Sequence, residues 1–231
     1  CHQIVLKVDI LYYKSMNILA VDSANANLSI ALKQKSNIIS KLYDNKDHVS
    51  EILLEAIDEI FKSSQIKPIE LSYILFNKGP ASFTGTRVAA SVLQAIGYSK
   101  NIPVYGLSSL QVMAFKFSKQ YRIQEFECIK YAYGNMCFTA SFQTENGYDT
   151  DNKIRLIALE ELEISDDSNV LLDRLTHNKM LENNLKVPKK LHILDKETTS
   201  EDLIDFAEEN IIIGEGFNLK DTLPDYANHE I

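Results

Sequence analysis

The stretch with the clearest chemical potential is Gly79-Pro80-Ala81-Ser82-Phe83-Thr84-Gly85-Thr86-Arg87. It joins the apolar run Ser72–Asn77, which reads as a buried strand, to an apolar-periodic segment over Thr84–Ser99, which reads as a helix. Glycines and small residues at such a junction let backbone N–H groups and the helix N-terminus face an anion or another protein's loop. Spacing excludes two familiar uses. A P-loop needs Gly-x4-Gly-Lys-Ser/Thr, but here the second glycine falls one residue late and Thr86 follows it. A nucleophile elbow, Gly-x-Ser-x-Gly, would need glycines where Pro80 and Thr84 stand. The plainer reading is a structural strand-to-helix turn with Thr84 capping the helix.

Metal and nucleophile chemistry find little support. His48 is followed four residues later by Ile52, so no pair of imidazoles shares a helix face there. His2, His177, His192 and His229 have no partner at i+4 and form no HExxH. Cys1, Cys128 and Cys137 are too few and too scattered for a disulfide framework or a zinc cluster, and read as buried or idle thiols in a reducing cytosol. Asp22 closes the apolar run Asn17–Asp22; a lone acid there, with no second carboxylate, reads as a turn former.

The elements that position these residues must come from 231 residues with 24 Lys+Arg and 32 Asp+Glu, a net charge of 24 − 32 = −8. At 45 % hydrophobic and 24 % charged the chain is a folded protein. Its length fits one large domain or two of roughly 100–120 residues. A pI near 5.2 lacks the cationic surplus of a stand-alone nucleic-acid binder. Apolar runs such as ILAV and YILF fall far short of the ~20 residues that span a bilayer. Residues 1–15 read as an upstream extension, with Met16 the natural beginning.

From Met16 the pattern gives three strands, Asn17–Asp22, Leu28–Leu32 and Asn37–Tyr43, joined by turn formers. A helix over Val49–Phe61 with Asp47 as N-cap follows, then the strand, loop and helix already described. Pro103–Gly106 is a further strand, and Ser108 or Ser109 can cap a helix through Phe117. This order, β-β-β-α-β-α-β-α, predicts a ribonuclease-H-like domain over residues 16–120. The pattern resumes more weakly after Phe126, with strands in ECIKYAY, MCFTASF, KIRLIAL, VLLD, LHIL and IIIG, and helices near Asn178 and Asp202–Glu209. Residues 121–231 are therefore expected to form a second, degenerate α/β domain.

Both first-half helices are apolar over more than a one-sided stripe. Val88, Ala89, Ala90, Val92, Leu93, Ala95 and Ile96 leave only Arg87, Ser91, Gln94 and Tyr98 as a polar strip. In Val49–Phe61, Leu54 reaches round from the main face. The expected pairing surface is Val49, Leu53, Leu54, Ile57 and Phe61 with Val88, Ala89, Val92, Leu93 and Ile96.

Four motifs in order give the chain a relation. GPASFTGTRVAAS resembles the GPGSFTGLRIG signature of the TsaB (YeaZ) family, bacterial proteins required for threonylcarbamoyladenosine in tRNA. MNILAVDSANANLSIAL is similar to that family's MxILAIDTAT…SVAL opening, His48 with ILLEAIDEIF to its His-to-ILP helix, and IPVYGLSSLQVMA to its P-x-x-G-(V/I)-S-(T/S)-L stretch. The resemblance covers Met16 to about Ala114. Two departures stand out: Ala81 replaces the second loop glycine, and Lys130 stands where the family's second-half strand carries an acid.

The resemblance implies a fold of two ribonuclease-H-like subdomains, of the actin/Hsp70-type ATPase superfamily, with mixed sheets flanked by helices. It implies a non-catalytic cytoplasmic scaffold that pairs with a TsaD-type catalytic subunit and a TsaE-type ATPase. Such a protein would be a homodimer in isolation and would meet tRNA only through the complex. It would have no cofactor of its own, and ATP or ADP would bind only at a partner interface. Asp22 matches the place where actin-like ATPases put a metal-bridging acid, and His48 the start of the family's first helix. The rival reading is an autonomous actin-like sugar kinase or ATPase using Asp22 and the Gly79–Gly85 loop. Gly214-Glu215-Gly216 is the only second-half candidate for its other phosphate loop. A metallopeptidase, the third reading, lacks ligands.

Overall fold

The computed structural model describes residues 16–44, 49–81, 83–148, 154–210 and 217–223. Two compact units emerge. The first contains the described residues of Cys1–Lys78, Phe83–Leu107 and Thr199–Pro224; the second those of Gly79–Ser82, Ser108–Thr198 and Asp225–Ile231.

In the first unit β1 (Asn17–Asp22), β2 (Asn27–Gln34) and β3 (Asn37–Asp44) form an antiparallel meander. Helix α1 (Val49–Ser64) leads to β4 (Tyr73–Gly79), which pairs parallel to β1 with Val21 opposite Phe76. Helix α2 (Phe83–Lys100) leads to β5 (Val104–Ser108), giving the sheet order β3-β2-β1-β4-β5. Alternate strand residues Leu19, Val21, Leu28, Ile30, Leu32, Ile74 and Phe76 pack with Leu53, Ala56, Ile57 and Ile60 of α1 and Ala89, Ala90 and Leu93 of α2. The opposite face is covered by α5 (Ser200–Asn210), which buries Leu203, Ile204, Phe206 and Ala207.

The second unit repeats the plan with the order β10 (Lys190–Leu194), β9 (Asn169–Asp173), β6 (Glu125–Tyr131), β7 (Met136–Gln143) and β8 (Arg155–Ala158). Here β6 and β7 are antiparallel, and so are β7 and β8. Strand β9 is parallel to β6, and β10 is parallel to β9. Helix α3 (Ser109–Tyr121) covers one face, with Leu110, Met113, Ala114 and Phe117 against Phe126, Cys128, Phe138 and Phe142. Helix α4 (Arg174–Glu182) brings Met180 to the cluster of Ile129, Val170 and Leu172.

The division expected at residue 120 is corrected in two places. Helix α3 belongs to the second unit because its apolar stripe packs on β6 and β7, and α5 returns to the first because it packs on β1 and β2. Asp47, His48, Gly214, Gly216 and the run IIIG lie outside the described residues.

Candidate functional site

The carboxyl ends of β1 and β4 are neighbours, the usual ligand edge of an open α/β sheet. Asp22 ends β1 at 1 % exposure and is fully engaged by local groups. Its Oδ1 accepts from the Ala24 backbone N–H at 2.9 Å, and its Oδ2 from Asn25 Nδ2 at 3.3 Å and Asn77 Nδ2 at 3.1 Å. The contact to Ala24 is a turn in which the side chain stands in for backbone. Asn77, which the sequence does not single out, is buried on β4 beside it; the parallel register of β1 and β4 is what brings it there. The Ser23 hydroxyl next to this pair is buried and meets no hydrogen-bonding group among the described residues.

The loop after β4 turns at Gly79, whose φ of 97° is in the left-handed region that favours glycine, and the Gly79–Pro80 peptide is cis. Ala81 is half-buried, and Ser82 lies outside the described residues. Helix α2 begins at Phe83, so Thr84 sits inside its first turn and is not the expected cap. Thr84 and Arg87 are exposed, whereas Thr86 is buried. Gly85 has a helical backbone with no positive φ; its need is space. A Cβ there would meet the Ser23 carbonyl oxygen at 2.9 Å and Val49 Cγ2 at 3.3 Å. The first turn of α2 is thus pressed against the β1–β2 connection and the start of α1.

The expected pairing surface divides. Leu53, Ile57, Phe61, Ala89 and Leu93 are buried in the first unit's own core, at 1, 5, 8, 0 and 0 % exposure, because both helices turn these residues onto the sheet. They are not available to a partner. Leu54 remains 62 % exposed, and Val49, Val88, Val92 and Ile96 are half-buried beside the core. The expected polar strip of α2 is partly covered: Gln94 Nε2 donates to the Thr222 carbonyl at 3.0 Å and hydroxyl at 2.9 Å, and Tyr98 packs edge-on against Phe217 at 5.9 Å. Beyond α1, Lys41 and Tyr43 both donate to Glu59, at 2.9 and 2.8 Å. These bonds hold Glu59 below the ordinary carboxylate range, while burial and then Glu59 push Tyr43 up to about 12.

Among the described residues the remaining candidates are not assembled into a reaction centre. Burial pushes the Cys128 thiol up, and that of Cys137 up to about 12, so neither is a ready nucleophile. Among the described residues no three His, Cys, Asp or Glu side chains group as a metal site. Lys130, at the acid's expected place, is buried in β6. No described helix is long and apolar enough to cross a membrane.

Two topologically matched ribonuclease-H-like units, with a glycine-bearing loop leaving β4 beside the central strand of the first, place the molecule in the class of duplicated ribonuclease-H-like α/β proteins. Solved structures share this fold. One from Pseudomonas aeruginosa, described as similar to peptidase YEAZ, aligns with a TM-score of 0.74 at 19 % identity, over 92 % of this chain and 100 % of that one. YeaZ from Pseudomonas aeruginosa aligns at 0.71 with 20 % identity, over 91 and 99 %. The family model TsaD, tRNA N6-adenosine threonylcarbamoyltransferase, matches residues 43–162. The chain belongs to this glycoprotease-like family, within its TsaB (YeaZ) branch. A tRNA threonylcarbamoyladenosine biosynthesis protein TsaB of Buchnera aphidicola subsp. Schizaphis graminum is 34 % identical over 107 residues, 46 % of this chain and 50 % of the relative. That of Bacillus subtilis is 34 % identical over 101 residues, 43 and 44 %. These matches span about half the length of the curated relatives.

Proposed function

We propose that the chain is a non-catalytic scaffold subunit in the formation of threonylcarbamoyladenosine in tRNA. In this reading it works in the cytoplasm beside a TsaD-type catalytic subunit and a TsaE-type ATPase. Threonylcarbamoyl-adenylate is the donor used by the assembly, and any ATP or ADP sits at a partner interface. Family membership supports the pathway, since the relatives carry the biosynthesis name.

The observation that carries the scaffold role is the outer side of the α1–α2 layer. Leu54 is 62 % exposed there, and Val88, Val92 and Ile96 are only half-covered. A catalytic subunit of the same fold would offer an equivalent helix pair, so self-pairing and hetero-pairing would compete for this one surface. One feature weighs against an independent kinase: the Asp22 oxygens are engaged by three protein donors. Against metal-dependent transfer or peptidase chemistry by this chain, Ile52 stands where a second metal-binding imidazole would be needed after His48.

The test is light scattering on the chain alone and with a TsaD-type subunit. Leu54→Glu and Ala95→Glu, both at exposed positions, are expected to keep the native circular dichroism and to lose both assemblies. Folded variants that still pair with themselves and with the catalytic subunit would refute the shared surface.

A further inference from the structure

The last turn of α3 and the strand β10 lie together in the second unit, and their chemistry differs from that of the chain as a whole. Helix α3 holds no carboxylate, although the chain has 32 acids against 24 bases. Its cations are Lys116 and Lys119, and Arg122 follows as its C-cap. The guanidinium of Arg122 forms no ion pair among the described residues. Glu125, the next acid along the chain, accepts instead from Gln143 Nε2 at 2.9 Å.

The rings here form a supported step. Phe117, fully buried, lies 4.7 Å from Phe126, 4.9 Å from Tyr121 and 5.0 Å from His192. Tyr121 and His192 are 5.5 Å apart. Core packing therefore fixes the step from below, while Tyr121 is 42 % exposed above. Gln120 Nε2 donates to the Tyr121 hydroxyl at 3.2 Å and helps hold the ring. Burial lowers His192 from its ordinary value, so the imidazole is a neutral ring at pH 7. Lys190 shares a strand face with His192, two residues on. Its Nζ donates to the Asp167 carbonyl at 2.9 Å, which fixes the ammonium without neutralising it.

We propose that the Tyr121–His192 step, with Arg122 and Lys190 around it, is a contact surface for a single-stranded nucleic-acid segment. A base stacks on the open Tyr121 ring and the cations take the neighbouring phosphates. An acidic peptide would use the cations but would gain nothing from the negative faces of the rings. A duplex would hide the base faces that the ring needs. The site goes beyond the scaffold reading and does not depend on it. The surrounding charge of −8 keeps the binding weak and salt-sensitive.

The test uses the full chain, with labelled 12-nucleotide uridine-rich RNA and the matching DNA as probes, followed by anisotropy between about 20 and 200 mM salt. The wild type is expected to bind both at the low-salt end. Tyr121→Ala should weaken binding by about tenfold or more with the salt slope unchanged. Arg122→Glu with Lys190→Glu should lower the slope by about 0.7 for each phosphate that is no longer neutralised. Tyr121→Leu keeps the bulk and removes the ring, so it carries the same expectation should the alanine variant fail to fold. Lys186→Glu, at an ion pair with Asp166 elsewhere on the unit, should change binding little. Absence of wild-type binding, equal binding by a folded Tyr121 variant, or equal competition by poly-glutamate would each overturn the proposal.

Discussion

The two sheets share a strand order but differ in one connection. Between β3 and β4 the chain makes the 16-residue helix α1, whereas between β8 and β9 it makes a 3-10 turn, Leu159–Glu161, and extended chain. The first sheet is consequently covered on both faces, and β1 is buried from Ile18 to Asp22. In the second, Ser141 and Gln143 of β7 are exposed. There a cleft of about 320 Å³ opens among Glu125, Glu127, Ser141, Asp167, Ser168 and Asn169. One helix more or less decides whether a strand must be apolar on both sides or on one.

The largest expected effect tests that difference directly. Leu93→Glu puts a carboxylate into the doubly covered unit with no partner and should remove its cooperative unfolding transition. Ser141→Lys, on the open face opposite Glu127, should stay within about 0.5 kcal/mol of the wild type. Denaturant unfolding followed by circular dichroism reads both. A native-like transition for Leu93→Glu would mean that the first sheet is not sealed.

A middle-sized contrast concerns two glycines. Gly85→Val drives a side chain into the Ser23 carbonyl and Val49, and should cost about 1–3 kcal/mol. Gly134, at φ 56° with none of the described atoms within 4 Å of an added Cβ, should lose only the backbone preference on change to alanine, about 1 kcal/mol. Equal losses in thermal melts would show that space is not what Gly85 provides.

The smallest contrast is in pH. Asp205, at an exposed position on α5, is raised from its ordinary value by partial desolvation and then by Asp202, Glu208, Glu201 and Glu209. The unfolded chain ionises this group before the folded one does, so its contribution is present at low pH and fades as pH rises through the raised value. Asp205→Asn should therefore raise the melting temperature at pH 7 and forfeit that advantage below the ordinary aspartate range. His192 has the opposite sign. Its lowered value means that the unfolded chain takes up the proton first, so stability falls as pH drops below about 6.5. His192→Phe should flatten that acid limb. Parallel pH profiles for the two variants and the wild type would remove the distinction.

Legibility follows coverage. NILAVD and YILF lie under helices on both faces and read as strands at once, as does the loop that follows β4. In β2, Ser29 and Lys33 signal an open face, yet both are buried. Ser29 is 2.7 Å from Ser200 and Lys33 pairs with Glu208, partners more than 170 residues away that no local pattern reveals. The same distance effect explains the misplaced pairing residues. Leu53 and Leu93 are as apolar as Leu54, and only the tilt of each helix on the sheet separates core from surface. Asn77 escapes a reading of the sequence because its role depends on the register of β4 against β1.

The return of α5 to the first sheet also sets an order of events on the ribosome. The strands of that sheet are all made by residue 108, but the helix that covers its second face spans residues 200–210. During the synthesis of the intervening residues, Ile18 and Ala20 and the Ser29 and Lys33 positions have no cover. At about 5–20 residues per second this interval lasts several seconds. The nascent chain thus carries a half-finished sheet through most of the synthesis of its second unit, and that interval is when a holding chaperone or an early partner would act.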